Sequence, residues 1–233
     1  MTPSTSPTER ADPLDRLNPM AEWTRAAARN NADWCDALCR THGAHTNFDE
    51  VAWTSRSRTP PLYPDAVTLV PDPHVPELLA RIDASTGCSI KDSFASLDLA
   101  AHGFELLFDA EWIVRAKTGV PSAMGGPRWD TVRDASGLST WEQAWQADDG
   151  PSGLFQAELL DNDAVAVLEA RTTAGVVAGA VLNRSSDAIG ILTFFVSSRA
   201  PASTWAGCVA FAETLYPEST LVSYTSGKAL RRP

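Results

Sequence analysis

No apolar run in this 233-residue chain approaches the length of a membrane-spanning helix. The N-terminal stretch TPSTSPTERADP also has no hydrophobic segment of the kind a secretory leader carries. A cytoplasmic location is therefore expected. Cysteine is scarce: Cys35, Cys39, Cys88 and Cys208 are too few to staple a secreted domain of this size, so reduced thiols are expected. Positive charge is short as well. The chain sets 19 Lys and Arg against 29 Asp and Glu, for a net charge of −10, and a surface of that sign repels a phosphate backbone, which argues against nucleic acid as a partner. There is no G-x-S-x-G, no P-loop and no G-x-G-x-x-G, so neither a nucleophile elbow nor a glycine cradle for phosphate is present.

What the chain does have is 44% apolar residues, ample for a core. The most organised stretch runs from Asp187 to Tyr216. Residues from Ala188 to Val196 are almost all apolar, branched or aromatic, as in a strand buried on both faces. A polar turn, Ser197 to Ala202, follows. Ser203 is placed to cap a helix that ends at Leu215, Tyr216 and Pro217, and a helix N-terminus at the end of such a strand offers free N–H groups to an anion. Ala164 to Arg171 and Val176 to Asn183 read as a hairpin around Thr172 to Gly175. The second strand pairs with that from Ala188 through Arg184 to Asp187. Thr220 to Thr225 is a further strand. Ahead of the hairpin, Ser139 and Glu142 form a capping-box pair for a helix that stops at Asp148-Asp149-Gly150, and Gly153 to Leu160 reads as a second short helix.

This order of helical pair, three antiparallel strands, helix and strand, with strings such as TFFVSS and FAETLYP, resembles the GNAT acetyltransferase superfamily over roughly Phe104 to Tyr224. The resemblance implies a mixed α/β fold of GNAT type, with acetyl-CoA as cofactor and a small amine as acceptor. It implies a cofactor site at Phe195, Val196, Ser197, Ser198, Arg199 and Ser203, and a tyrosine, Tyr216 or Tyr224, to protonate the departing thiolate. The turn itself reads SSRAPASTWAG, with one glycine where the superfamily usually has two, and Pro201 removes a donor. A second reading is therefore carried alongside: a GNAT-like module that binds a ligand or partner without acyl transfer. The superfamily's final strands are absent after Thr225, so the edge of that strand is expected to be covered from the N-terminal part of the chain or by a second subunit in a homodimer.

The remainder reads as a tail over residues 1–18, an N-terminal extension over 19–102 and the GNAT-like core over 103–233. The extension begins with an amphipathic helix from Met20 to His42, closed by Gly43. Its end carries Cys35, Cys39, His42 and His45, which are possible zinc ligands, although thiols four residues apart on such a helix more often serve as small core residues; no metal is assigned. Phe48 to Pro73 is rich in proline and aromatics, with one strand at Ala66 to Val70, and Val75 to Ile82 forms a short helix. Phe104 to Arg115 alternates as a long strand, with Glu105, Asp109 and Glu111 on one side. In an acyltransferase such a row would attract a cationic amine, which makes Glu111 a candidate base, although the same alternation marks any half-exposed strand. Ala116 to Gly137 reads as a flexible connection.

Overall fold

The computed structural model describes residues 19–116, 126–146 and 150–226. The expected tail and residues 117–125 of the expected connection lie outside them. A long helix, α1 (Pro19–Thr41), is followed by four short strands, β1 (Thr46–Phe48), β2 (Ala52–Ser55), β3 (Ala66–Thr68) and β4 (Ile90–Lys91), with a one-turn helix α2 (Val75–Leu79) between the last two. These strands form one sheet in the order β1-β2-β3-β4. The second sheet contains β5 (Ala110–Arg115), β6 (Arg128–Thr131), β7 (Val165–Thr172), β8 (Gly175–Arg184), β9 (Ile189–Val196) and β10 (Leu221–Ser226), in the order β5-β10-β9-β8-β7-β6. Helix α3 (Ala135–Gln146) precedes β7, and α4 (Thr204–Leu215) joins β9 to β10. Among these pairs only β9 and β10 run parallel in the second sheet, as a strand–helix–strand connection requires.

The second sheet has cores on both faces. Toward α1 and α3, Val181 and Leu192 pack with Trp34, Leu38, Trp53, Val67 and Trp141. Toward α4, Ala180, Leu182, Ile189 and Ile191 pack with Cys208, Val209 and Ala212. Successive residues of β8 thus point to opposite cores, which explains why the sequence there is continuously apolar. Helix α1 packs against β8 and β9 on one side and β1 and β3 on the other. It ends as expected: Gly43 takes φ 73°, and the Ala44 and Gly43 amides return to the carbonyls of Cys39 and Arg40.

Several expectations are corrected. The strand expected from Phe104 begins only at Ala110, because Leu106, Leu107 and Phe108 find no sheet neighbour and are exposed. Within the supposed flexible connection, Arg128–Thr131 pairs with β7 as strand β6. Asp134, five residues before Ser139, caps α3: its Oδ1 accepts from the Gly137 amide at 2.8 Å. Glu142 is not a capping residue but accepts the amides of Leu154 and Phe155 at 2.6 and 3.0 Å. The second short helix is a 3-10 turn, Ala157–Asp161. Three strands of the first sheet, β1, β2 and β4, were not expected. The open edge of β10 is covered from within the chain, by β5 running antiparallel.

One buried polar exchange fixes α1 on the second sheet. The Asn30 amide nitrogen donates to the carbonyls of Asn183 (2.8 Å) and Ala188 (3.1 Å) and to Ser185 Oγ (3.0 Å), and Asn183 Nδ2 donates to the Asn30 carbonyl (3.0 Å). Gly190 lies directly beneath, and a Cβ there would collide with Asn30 Oδ1. Gly190→Ala should cost about 1–3 kcal/mol, the usual range for overpacking. In an Asn30→Ala background most of that cost should vanish. Urea unfolding of the two single variants and the double variant measures the coupling, and additive costs would show that the constraint on Gly190 comes from elsewhere.

Candidate functional site: the fork between β9 and β10

Strands β9 and β10 pair at only two positions, Leu221 with Ile189 and Val222 with Gly190. Beyond them β9 continues beside β8, and β10 continues beside β5. A bulge causes the divergence. Opposite the register shift between Gly179 and Val181, β9 carries an additional residue, and Thr193 there has φ 50°. Left-handed backbone costs a residue with a Cβ about 1–2 kcal/mol. The extra residue also resets the alternation: Leu192 and Phe195 face the α1 core, whereas Phe194 packs on Trp205 of α4. At the crotch Ser223 Oγ donates to the Ile191 carbonyl at 2.8 Å, substituting for a strand bond.

Side chains from four elements meet on the α1 side of this fork. The Lys91 ammonium of β4 lies 3.4 Å from the ring centre of Tyr224 and 4.7 Å from that of Trp112. Those two rings stand edge to face across β10 and β5 at 5.8 Å. Trp112 is held by its Nε1, which donates to the Ser93 carbonyl at 2.8 Å. Tyr63 accepts a bond from Trp34 Nε1 at 3.1 Å and interacts with the Thr193 side chain. Cys35 of α1 is buried within reach of the fields of Lys91, Tyr63 and Tyr224.

Burial dominates the charge behaviour of this group. It lowers the Lys91 pKa to about 8. Burial pushes the Cys35 thiol up to about 12, against the pull of Lys91. Tyr224 is also raised to about 12, again mainly by burial, and Tyr63 well above the usual tyrosine value. Lys91 is therefore the member of this cluster that titrates near neutral pH.

The sequence-derived candidates divide. Tyr224 stands in the fork. Tyr216 does not: it closes α4 at the other end of the sheet, with its amide on the Ala212 carbonyl, and packs in the α4-side core. Glu111 is exposed on the face of β5 opposite Trp112, the face from which Arg115 reaches Glu213 of α4 at 2.8 Å. The expected carboxylate row does not form, because Glu105 and Asp109 precede the strand. Phe195 is turned into the core against Trp141. Val196, Ser198, Arg199 and Ser203 are exposed, and Ser197 is half-buried. Ser203 occupies the cap position of α4 without a side-chain cap bond, since its own backbone is already helical (φ −75°, ψ −1°); Thr204 instead donates both its amide and its hydroxyl to the Pro201 carbonyl. Arg199 N donates to Ser197 Oγ and Ala200 N to the Ser197 carbonyl, so part of the turn's donor set is already engaged.

The Cys35/Cys39/His42/His45 run is taken apart by the fold. Both thiols are buried in the α1 core, and His42 Nε2 meets the Leu154 carbonyl at 2.8 Å. That histidine lines a cleft of about 400 Å³ between the end of α1, the Arg58–Pro61 segment and Pro151–Leu154. A second cleft, of about 600 Å³, lies along the start of α1 beside Asp49, Glu50 and Asp187. Neither includes the turn after β9. Lys91, Tyr63, Trp112 and Thr193 were not singled out from the sequence as site residues. The one usable signal was the presence of a lysine at all: the chain has only Lys91, Lys117 and Lys228 among its 19 cationic residues.

No protein-family model matches the chain. No curated protein matches its sequence. In structure it is similar to a GCN5-related N-acetyltransferase from Kribbella flavida, with a TM-score of 0.53 at 16% identity, over 86% of this chain and 85% of that one. A weaker likeness, TM-score 0.40 at 16% identity over 88% and 89% of the two chains, is to a GCN5-related N-acetyltransferase-like protein from Streptococcus suis 89/1591. The Kribbella likeness shows the fold: a mixed α/β architecture of GNAT type.

The raised thiols set the alkaline stability. Cys35, Cys39 and Cys208 all keep their protons in the fold above the pH at which they ionise in the unfolded chain, about 8.5. The unfolded state thus loses protons first, and the stabilisation present below that pH is lost as pH rises toward 12. Lys91 works the other way between about 8 and 10.4, but one group does not offset three. Melting temperatures should fall steadily between pH 8.5 and 10.5; a constant or rising midpoint would show that these thiols are not buried as described.

Proposed function

We propose that the chain is an acyl-CoA-dependent N-acyltransferase acting on a small amine. The observation that carries this reading is the fork itself. A bulged strand parts from its parallel neighbour, exposing one backbone edge, and the helix that follows presents its N-terminus at the end of that strand. The free edge offers amide partners to a pantetheine-like chain, and the dipole end of α4, with Arg199 beside it, suits a pyrophosphate. Ser197, Ser198 and Ser203 add hydroxyls at the same rim. Acetyl-CoA, where bound, would supply an activated acyl group. The chain's own part is to position it, to hold a proton on the Tyr224 hydroxyl for the leaving thiolate, and to exclude water with Trp112 and Tyr63.

A second reading, a GNAT-like module that binds without transferring, is favoured by one observation: the turn lacks the usual glycines and several of its amides are internally bonded.

Calorimetric titration with acetyl-CoA separates the two. Binding is expected, and Arg199→Ala should weaken it by about 1.5–3 kcal/mol, the range for hydrogen bonds to charged groups. An exposed turn substitution should leave stability within about 0.5 kcal/mol. No heat and no thermal shift at millimolar acetyl-CoA would remove the acyltransferase reading. Unchanged affinity in a folded Arg199→Ala protein would remove Arg199 from the site.

A further inference from the structure

The fork contains a nucleophile that the proposed reaction does not use. Lys91 stands over the faces of Tyr224 and Trp112. Among the described residues no carboxylate pairs with it and no acceptor is bonded to it. Its charged form is held by ring quadrupoles, a poor substitute for water or an anion. It is one of three lysines in a chain that otherwise uses arginine, and the other two, Lys117 and Lys228, lie outside the described residues. Lys91 is half-buried, not enclosed, and Tyr224 beside it is 38% exposed.

We propose that Lys91 is a self-acylation site, at which the protein takes an acyl group from a thioester onto its own side chain. The location follows from the proposed acyltransferase reading, on which it rests for the natural donor. Tyr224 belongs to the part of β10 that has left β9, and Tyr63 ties the Thr193 bulge to the same cluster. The chemistry follows from the amine. A desolvated lysine with a depressed pKa carries a substantial neutral fraction near pH 7.5, the condition under which lysine acts as a nucleophile. In the step, the Lys91 nitrogen lone pair attacks the thioester carbonyl carbon. The C–N bond forms and the C–S bond breaks. The proton shed by nitrogen ends on the departing thiolate, leaving an uncharged Nε-acyl-lysine and a free thiol. No oxidant or other reactant is needed. The product is better suited to its surroundings than the ammonium was, since it places a neutral amide in the cage.

The test treats the full chain at pH 7.5 with acetyl-CoA and, separately, with S-acetyl-N-acetylcysteamine, a thioester that keeps only the pantetheine end. Intact-mass and peptide mapping follow. The expected result is one added acetyl group, placed on Lys91 at least about tenfold faster than on Lys117 or Lys228, as the larger neutral fraction of an amine shifted from about 10.4 requires. Lys91→Arg, which keeps charge and ring contacts, should abolish the fast label. If that variant does not fold, mapping of the parent protein alone decides. Labelling by both donors supports the site and is consistent with the CoA reading. Labelling by the short thioester with neither binding nor labelling by acetyl-CoA supports the Lys91 site and counts against the CoA reading. Calorimetric binding of acetyl-CoA with no label on Lys91 overturns the self-acylation site and leaves the CoA reading standing. Label spread evenly over all three lysines, or none from either donor, also overturns it.

Discussion

The arrangement depends on how α1 is held between two sheets. A helix with a buried polar face is costly unless its groups are matched, and Asn30 lies across the β8–β9 connection, where its amide nitrogen serves the carbonyls of Asn183 and Ala188 and its own backbone carbonyl accepts from Asn183, leaving its Oδ1 as the one unpaired atom of the exchange. The exchange fixes both position and rotation. With Asn30 against β8 and β9, the same helix carries Trp34 and Cys35 one turn further along, and Leu38 two, into the core shared with Trp53 and Val67. The four-stranded sheet is thereby laid against the six-stranded one, and β4 is brought beside β5 and β10. Lys91 reaches Tyr224 only because of that chain of placements.

A second constraint lies in β9. A parallel pair sharing hydrogen bonds along its full length would leave no backbone edge free and no gap. The Thr193 bulge breaks the pairing after two positions, and the strained backbone there is maintained by strong pairing with β8 on the other side and by the α4 core beneath. The strand that leaves β9 does not remain an open edge, because β5 pairs with all six residues of β10. A strand from ahead of α3 thus occupies the sheet position beside β10.

The sequence made the second sheet's centre legible and its borders less so. Strands β7 to β9 are long, apolar and separated by short polar turns, and β8 is buried on both faces, so local pattern and tertiary role agree there. The closing glycine of α1 was readable for the same reason. Strands β1, β2 and β4 are two to four residues long, too short for periodicity to register, and proline masks their surroundings. Alternation from Phe104 to Arg115 overstated β5, since a period of two shows that a segment can form a strand but not that a neighbour is present to pair with it. The capping-box match at Ser139 lost to Asp134, which lies where the chain enters the helix from β6. Glu111 lies one parity step away from the fork: the face of β5 that meets it carries Trp112, not the carboxylate. Lys91 was hidden because its surroundings come from α1, β5 and β10, none adjacent to it in sequence.

The choice of cation at that position limits what the fork can do. Arginine supplies most of the chain's positive charge and would stack on Trp112 and Tyr224 at least as well, but a guanidinium does not give up its proton in a protein. Lysine makes a weaker contact with the rings and loses its charge readily when desolvated. The neighbours do not oppose that loss: Cys35 and both tyrosines keep their protons through neutral pH, so no anion forms beside the amine to hold the proton in place. A cluster built for rigidity alone would favour the permanent cation or an apolar side chain. One containing a single half-buried amine with a lowered pKa, beside the exposed Tyr224, has the properties of a reactive group, and burial that is costly for the ammonium is what makes the neutral amine available.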